Sequence, residues 1–241
     1  MGVLFDLASG ACIFRSHAMT ARDAILARIR NANGGDRADD GARRAAVAQR
    51  LAEAPKGVVP ARGQLPDEER IRLFVTMAEA VHSSTARVAS RDDVPGEIAR
   101  YLRERNLPAA VRMGADPRLA AMPWNGQALT VSHGASNGRD EIGVSHAFAG
   151  VAETGTLALT SGGDNPTSLN FLPEHHLVVV DAADVAGDLE SVWARLRAAR
   201  GKGDMPRTVN LVTGPSRSGD IEQTLLLGAH GPRALHIIVV G

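Results

Sequence analysis

From Thr85 onward short apolar runs alternate with amphipathic segments, and this alternation limits the fold more than any other feature of the chain. "TARVAS", "AAVRMG", "QALTVSH", "GTLALTS", "HHLVVVDA", "RTVNLVTG" and "RALHIIVVG" have strand length and β-forming composition. Among them, "PGEIARYLRERN" turns Ile98, Tyr101 and Leu102 to one side of a predicted helix, and "DLESVWARLRAARG" does the same with Leu189, Val192, Trp193 and Leu196. "DIEQTLLLGAHG" reads as a further helix before the closing strand. Strands apolar on both faces need cover on both. The expected fold is therefore α/β, a mostly parallel sheet with helices on both faces.

Upstream, "DEERIRLFVTMAEAVHS" opens with acids suited to a helix N-terminus and repeats Ile71, Phe74, Val75, Ala78 and Val81 at helical spacing. "PKGVVPARGQLP" is an extended linker. Before it, Thr20 caps a helix with Asp23 three residues on, and an alanine-rich segment carries Val47 and Leu51 as a thin stripe beside a solvated face with Arg43 and Arg44. The expected organisation is an extension over 1–18, disordered or an upstream start, then a helical arm and linker over 19–65, then an α/β domain over 66–241.

Composition removes several function classes. Lys plus Arg equals Asp plus Glu at 27 each, so no global field holds a polyanion, and two Trp, one Tyr and five Phe make no stacking platform for single-stranded nucleic acid. Cys12 is the single cysteine, which excludes an internal disulfide framework and an iron-sulfur cluster ligated by this chain's own thiolates. The first residues lack a basic region before their apolar run, and no run is long enough to span a bilayer. A cytoplasmic location is expected.

Chemistry is sought in two polar loops. In open α/β sheets ligands bind beyond the carboxyl ends of strands. "TGPSRSGDIE" follows a predicted strand there: Gly214 permits a turn, Ser216 and Ser218 can cap, and Arg217 stands beside free helix N–H groups able to receive an anion. Plain capping explains the segment equally well. In "AGVAETGTLALTSGGDNP", Glu153 would share a face with Leu157 and Leu159 were the strand unbroken, whereas a turn at Gly155 would aim it at a pocket. Glu153 is the candidate catalytic carboxylate, with Thr154, Gly155 and Thr156 around it; the alternative is a carboxylate that caps backbone amides at a chain reversal. Asn165 belongs to the polar loop that follows.

No metal is expected. His175 and His176 are adjacent on a strand and point to opposite faces, so they cannot share an ion; His133 and His146 could meet only across neighbouring strands. A structural or solvent-facing role is favoured for all four. His230, at a Gly-Pro turn before the last strand, is a ligand candidate.

Together, "GVAETGTLAL", "NPTSLNFLPEHHLVVV", "TGPSRSGDIEQTLLLGAHGP" and "HIIVVG" resemble the lactate utilisation protein C family, described by its LUD domain, from about Thr20 to the end. The resemblance implies a NagB/RpiA/CoA-transferase-like fold and participation, with separate iron-sulfur proteins, in oxidising L-lactate to pyruvate. It implies that this chain binds no cofactor itself and that the clusters reside in its partners. Ser218 and Gly219 stand where family members often carry Thr and Ala. The leading expectation is an accessory, non-redox subunit binding a small carboxylate or phosphorylated ligand, with Glu153 and Arg217 converging on one cavity. An independent acyl- or CoA-transferring enzyme using Glu153 as nucleophile, and an assembly module that docks its partner through residues 20–54 without a ligand, remain open alternatives.

Overall fold

The computed structural model describes residues 20–33, 40–201, 203–221 and 224–241, and the expected extension over 1–18 lies outside them. The chain divides into two units, 1–55 and 56–241. The division falls earlier than the expected boundary because the linker packs on the α/β unit: Gly63 lies against Gly187 so closely that a Cβ on either would strike the other's carbonyl, and the Gln64 amide donates to Asp188 at 2.9 Å.

In the first unit, α1 (Ala21–Ala32) starts at the Thr20–Asp23 capping box and α2 (Asp40–Glu53) follows. In the second unit, α3 (Asp67–Ala80) places Asp67, Glu68 and Glu69 in its first turn and buries Ile71, Phe74 and Ala78. Then come β1 (Ser84–Val88), α4 (Val94–Glu104), β2 (Ala110–Met113), the single-turn α5 (Pro117–Ala120), β3 (Thr130–His133) and β4 (Ile142–His146). The chain continues through β5 (Ala149–Val151), β6 (Thr156–Thr160), β7 (His175–Asp181), β8 (Val185–Ala186), α6 (Leu189–Arg200) and β9 (Val209–Val212), and ends in β10 (Arg217–Ile221), β11 (Thr224–Leu227) and β12 (Ala234–Val240).

Six strands form one parallel sheet in the order β1-β12-β7-β4-β2-β3. Its central members β7 and β12 are buried almost throughout, which is why "HHLVVVD" and "ALHIIVV" are continuous rather than alternating apolar runs. One face packs on α4 and α5 through Ile98, Leu102, Leu119 and Met122 against Val144, Leu177, Val179 and Ile238. The opposite face packs on α3 through Phe74 and Ala78, and on Leu157 and Leu159 of a second sheet. Each fully buried side chain of this size contributes about 1.5–3 kcal/mol by leaving water.

That second sheet, β8-β5-β6-β9, is mostly antiparallel. The sequence gives no separate signal for β5, three residues long, or β8, two residues long. Residues 217–227 also depart from expectation, forming a β10–β11 hairpin rather than a helix. "TLLL" is too short and uniformly apolar to separate the two periods, and glycines at φ +82°, Gly214 and Gly228, lie just outside the hairpin ends, where a left-handed backbone turns the chain. No helix N-terminus is therefore available to Ser216, Arg217 and Ser218.

Candidate functional site

The sheet's connectivity locates one crevice. From β2 the chain leaves across α5 to β3 at the sheet edge; from the adjacent β4 it leaves through the second sheet to β7, on the other side and over the other face. Adjacent strands whose connections diverge open a gap at their carboxyl ends, the usual ligand position in such sheets. Here the gap lies between Gly114, Asp116 and Arg118, beyond β2, and His146, the last residue of β4.

Polar groups gather along this edge. Asp116 caps α5, accepting from the Arg118 amide at 2.9 Å, and pairs with the Arg118 guanidinium through Nε at 3.0 Å and Nη2 at 2.7 Å. Burial pulls the Asp116 carboxyl pKa up, but the side chain and backbone of Arg118 outweigh it and hold it below the ordinary value. Arg91, just past β1, reaches across the end of β12 to Asp181 at the end of β7, with Nε and Nη2 at 3.2 and 2.6 Å from its two oxygens. Asp184 pairs with Arg195 of α6.

His146 stands beneath these pairs, its side chain fully buried. Nδ1 lies 2.9 Å from the Ala147 carbonyl, which can only accept, so Nδ1 carries the proton and Nε2 is left as an acceptor. Nε2 has no hydrogen-bond partner and faces Asp181 Oδ2 at 3.5 Å. Burial first, and the charge of Arg118 second, lower the pKa of the ring and keep it neutral. Asp181 Oδ2 already accepts from Arg91, so of these two acceptors Nε2 is the one left without a donor, which an O–H could supply.

The loop after β6 closes the gap. A Cβ on Gly114 would overlap the Asp164 carbonyl and crowd Pro166, so glycine is what admits this loop to the sheet edge. Asn165 beside it is buried; its amide nitrogen donates to the Thr160 carbonyl at 3.1 Å, while its Oδ1 has no partner. Next to Gly114, His133 borders a cavity of about 580 Å³ lined also by Met122, Trp124 and Gln127.

Of the residues expected to bind ligand, Asn165 alone lies in this crevice. Thr154, Gly155 and Thr156 form the β5–β6 turn, where Gly155 takes φ +65° against the α3 backbone and Thr154, Thr156 and Thr213 share a chain of 2.7 Å hydroxyl contacts. Gly214 packs on the Val81 carbonyl at the end of the same helix. Glu153 is buried, and its Oε1 accepts from the Leu189 amide in the first turn of α6 at 3.3 Å. Arg217 is exposed on β10, Ser218 follows it, and Ser216 Oγ accepts from the His230 amide at 3.3 Å. Among the described residues no hydrogen bond or ion pair joins Glu153 to Arg217. The strand "VNLV" is β9 of the second sheet, antiparallel to β6, so its end is not on the parallel carboxyl edge.

Three further histidines are held by neighbouring polar side chains. His175 and His176 face opposite sides of β7, as alternation requires: His175 meets the Tyr101 hydroxyl at 3.0 Å, and His176 meets Ser145 at 3.0 Å with burial pushing its pKa down to about 3. His133 and His146 cannot meet across neighbouring strands, because β2 lies between theirs. His236 bridges Ser84 at 2.8 Å and Glu97 at 3.1 Å. Among the described residues no group of three or more His, Cys, Asp or Glu side chains converges as a metal centre, and no helix is long and apolar enough to cross a membrane.

The LUD domain model matches residues 71–240, which take in both sheets and the crevice. The chain belongs to the LUD domain family. It is similar in fold to a DUF162 family protein from Deinococcus radiodurans, with a TM-score of 0.54 and 22% identity over 73% of this chain and 99% of that one. The chain is also 34% identical over 101 residues to Lactate utilization protein C of Halalkalibacterium halodurans, covering 41% of this chain and 44% of that protein. It is 30% identical over 100 residues to the protein of the same name from Shouchella clausii, again covering 41% and 44%. The match to an uncharacterised Neisseria meningitidis protein is longer, 31% over 140 residues, or 56% and 59% of the two chains. The chain thus spans less than half the length of the first two relatives.

Dispersion explains why the crevice residues escape a linear reading. Arg91, Asp116, Arg118, His146 and Asp181 come from four separate strand ends. Their shared signal is position, a charged or imidazole side chain at or within a few residues after an apolar run, as in "VVVDA" and "VSHAF".

Proposed function

We propose that this LUD domain acts in lactate utilisation by holding a small 2-hydroxy acid anion at the carboxyl-edge crevice, as a non-redox subunit in the cytoplasm. The observation that carries this reading is the unpartnered Nε2 of His146 facing Asp181 beside two arginines that each keep one nitrogen in reserve. Arg91 and Arg118 spend Nε and Nη2 on their aspartates, and Nη1 of each makes no hydrogen bond among the described residues. Each Arg–Asp pair is close to neutral, so a simple anion gains little there. A ligand that also brings an O–H donor can give that proton to Nε2 of His146 while its carboxylate takes the Nη1 atoms. It would enter from the side of Asp181, whose side chain is 17% exposed. The names of the curated relatives direct the choice among such acids to lactate. With only Cys12 available as thiolate, the electrons from lactate pass to iron-sulfur clusters in partner proteins, and this chain positions substrate without binding a cofactor.

Isothermal titration of the full chain with L-lactate and with pyruvate tests the site, since pyruvate lacks the hydroxyl donor. L-Lactate should bind at least about tenfold more tightly, a difference of about 1.4 kcal/mol, and Arg118→Met should remove the binding. Equal affinity for both, or binding unaffected by Arg118→Met, overturns the assignment. Growth on L-lactate after deletion and complementation tests the physiological role separately.

A further inference from the structure

In the helical arm, Ile25 and Ile29 form an i,i+4 pair on α1, and Val47 and Leu51 form another on α2. They are 59%, 50%, 54% and 69% exposed, and no residue of α1 is buried. Helices of 12 and 14 residues are marginal in water without a tertiary partner for their apolar faces. Between Ile29 of α1 and Val47 and Leu51 of α2 lies a groove of about 770 Å³, its lining divided between aliphatic side chains and Arg30, Arg43, Arg44 and two asparagines.

We infer that this groove docks an amphipathic helix of a partner protein, one whose apolar stripe is flanked by Asp and Glu. Shape indicates a helix, because a concave trough between two helices with an aliphatic strip and a polar rim accepts apolar side chains at i, i+3, i+4 and i+7 of a third. Charge indicates its sign. Residues 20–53 carry seven arginines against four aspartates and one glutamate, whereas the whole chain balances 27 against 27, and among the described residues the groove itself is lined by Arg30 and Arg43 with no carboxylate. A second copy of the arm would bring the same positive surplus against itself, and an acidic helix neutralises it. A lipid surface fits less well: residues 20–53 contain no Trp, Tyr or Phe to anchor at a headgroup boundary, and a trough gives a bilayer less contact than a convex face. This inference is independent of the crevice.

The test is fluorescence anisotropy of labelled synthetic helical peptides with the full chain. One peptide has a leucine stripe flanked by Glu, and the other has the same stripe flanked by Lys. The Glu peptide should bind, weakening as salt rises from about 0.05 to 0.5 M, and the Lys peptide should not. Val47→Ser with Leu51→Ser should cost at least about tenfold in affinity. Arg30→Gln with Arg43→Gln should weaken binding and flatten its salt dependence, with far-UV circular dichroism unchanged; this pair keeps the test decisive should the serine variant lose helix. Equal binding of both peptides, or of neither, overturns the inference. So does a dimer in sedimentation equilibrium that Leu51→Ser abolishes, which would make the occupant a second copy, or binding to anionic phospholipid vesicles with the same Val47 and Leu51 dependence.

Discussion

Nε2 of His146, at the end of β4, stands 3.5 Å from Oδ2 of Asp181, at the end of the neighbouring β7, with neither atom supplying a proton to the other. The parallel register that sets Ser145 beside Val178 and His146 beside Val179 carries both side chains to the same edge and face. The pair is a product of strand order, and its electrostatics leads to the first expectation.

Stability should fall as pH drops below about 6.5, before most carboxylates titrate. His146 and His175 have lowered pKa values, His236 is pushed down to about 4 and His176 to about 3, all chiefly by burial. Their native rings stay neutral while the unfolded rings gain protons near 6.5, so the unfolded state binds more protons in that window. Each such proton contributes a slope of about 1.4 kcal/mol per pH unit, lost on acidification from the unfolded value down to the folded one. Urea midpoints at a series of pH values check this. His236→Gln should flatten the slope between about pH 6 and 4, and an unchanged slope would count against a neutral buried ring.

Asp116→Ala should cost about 1–3 kcal/mol, measured by urea denaturation. It removes the cap of α5 and the partner of Arg118, and the cost stays below that of a fully buried pair because the Arg118 side chain is 34% exposed. Asp116→Asn keeps an acceptor for the Arg118 amide and should lose about half as much.

Gly155→Ala should destabilise by at least about 2 kcal/mol, because it combines a φ of +65° with a Cβ directed into the backbone at Met77 and Ala78. Gly114→Ala should cost a similar amount through displacement of the Asp164 carbonyl, and should additionally weaken any lactate binding by shifting the loop that closes the crevice. Comparing thermal midpoints with titration isotherms for the two variants separates a structural glycine from one that also shapes the site.

Glu153→Gln should lower stability by about 0.3–1 kcal/mol, since it removes a negative charge from the first turn of α6 while keeping an oxygen for the Leu189 amide. Growth on L-lactate should persist. Loss of growth with unchanged stability would instead favour the reading of Glu153 as a nucleophile.

Local signals gave a good account of helices and long strands. The Thr20–Asp23 box, the acidic first turn of α3, the 3/4 spacing of Ile98, Tyr101 and Leu102 and the uninterrupted runs of β7 and β12 all appear in the structure as expected. The β10–β11 hairpin is not legible in the sequence because four apolar residues fit either period. The turn at Gly155 is legible in the sequence, but whether Glu153 faces a pocket or the amides of α6 depends on a helix that begins 36 positions later.

The sequence by itself determined the α/β class, the positions of most elements and the side chains available to the core, because propensity, capping and apolar periodicity act over a few neighbouring residues. Tertiary structure alone decided that β2 and β4 lie side by side with diverging exits, and so gathered Arg91, Asp116, Arg118, His146 and Asp181 along one edge. Strand order is a contest among long-range contacts, settled by how the whole core packs, and no short stretch of residues records its outcome.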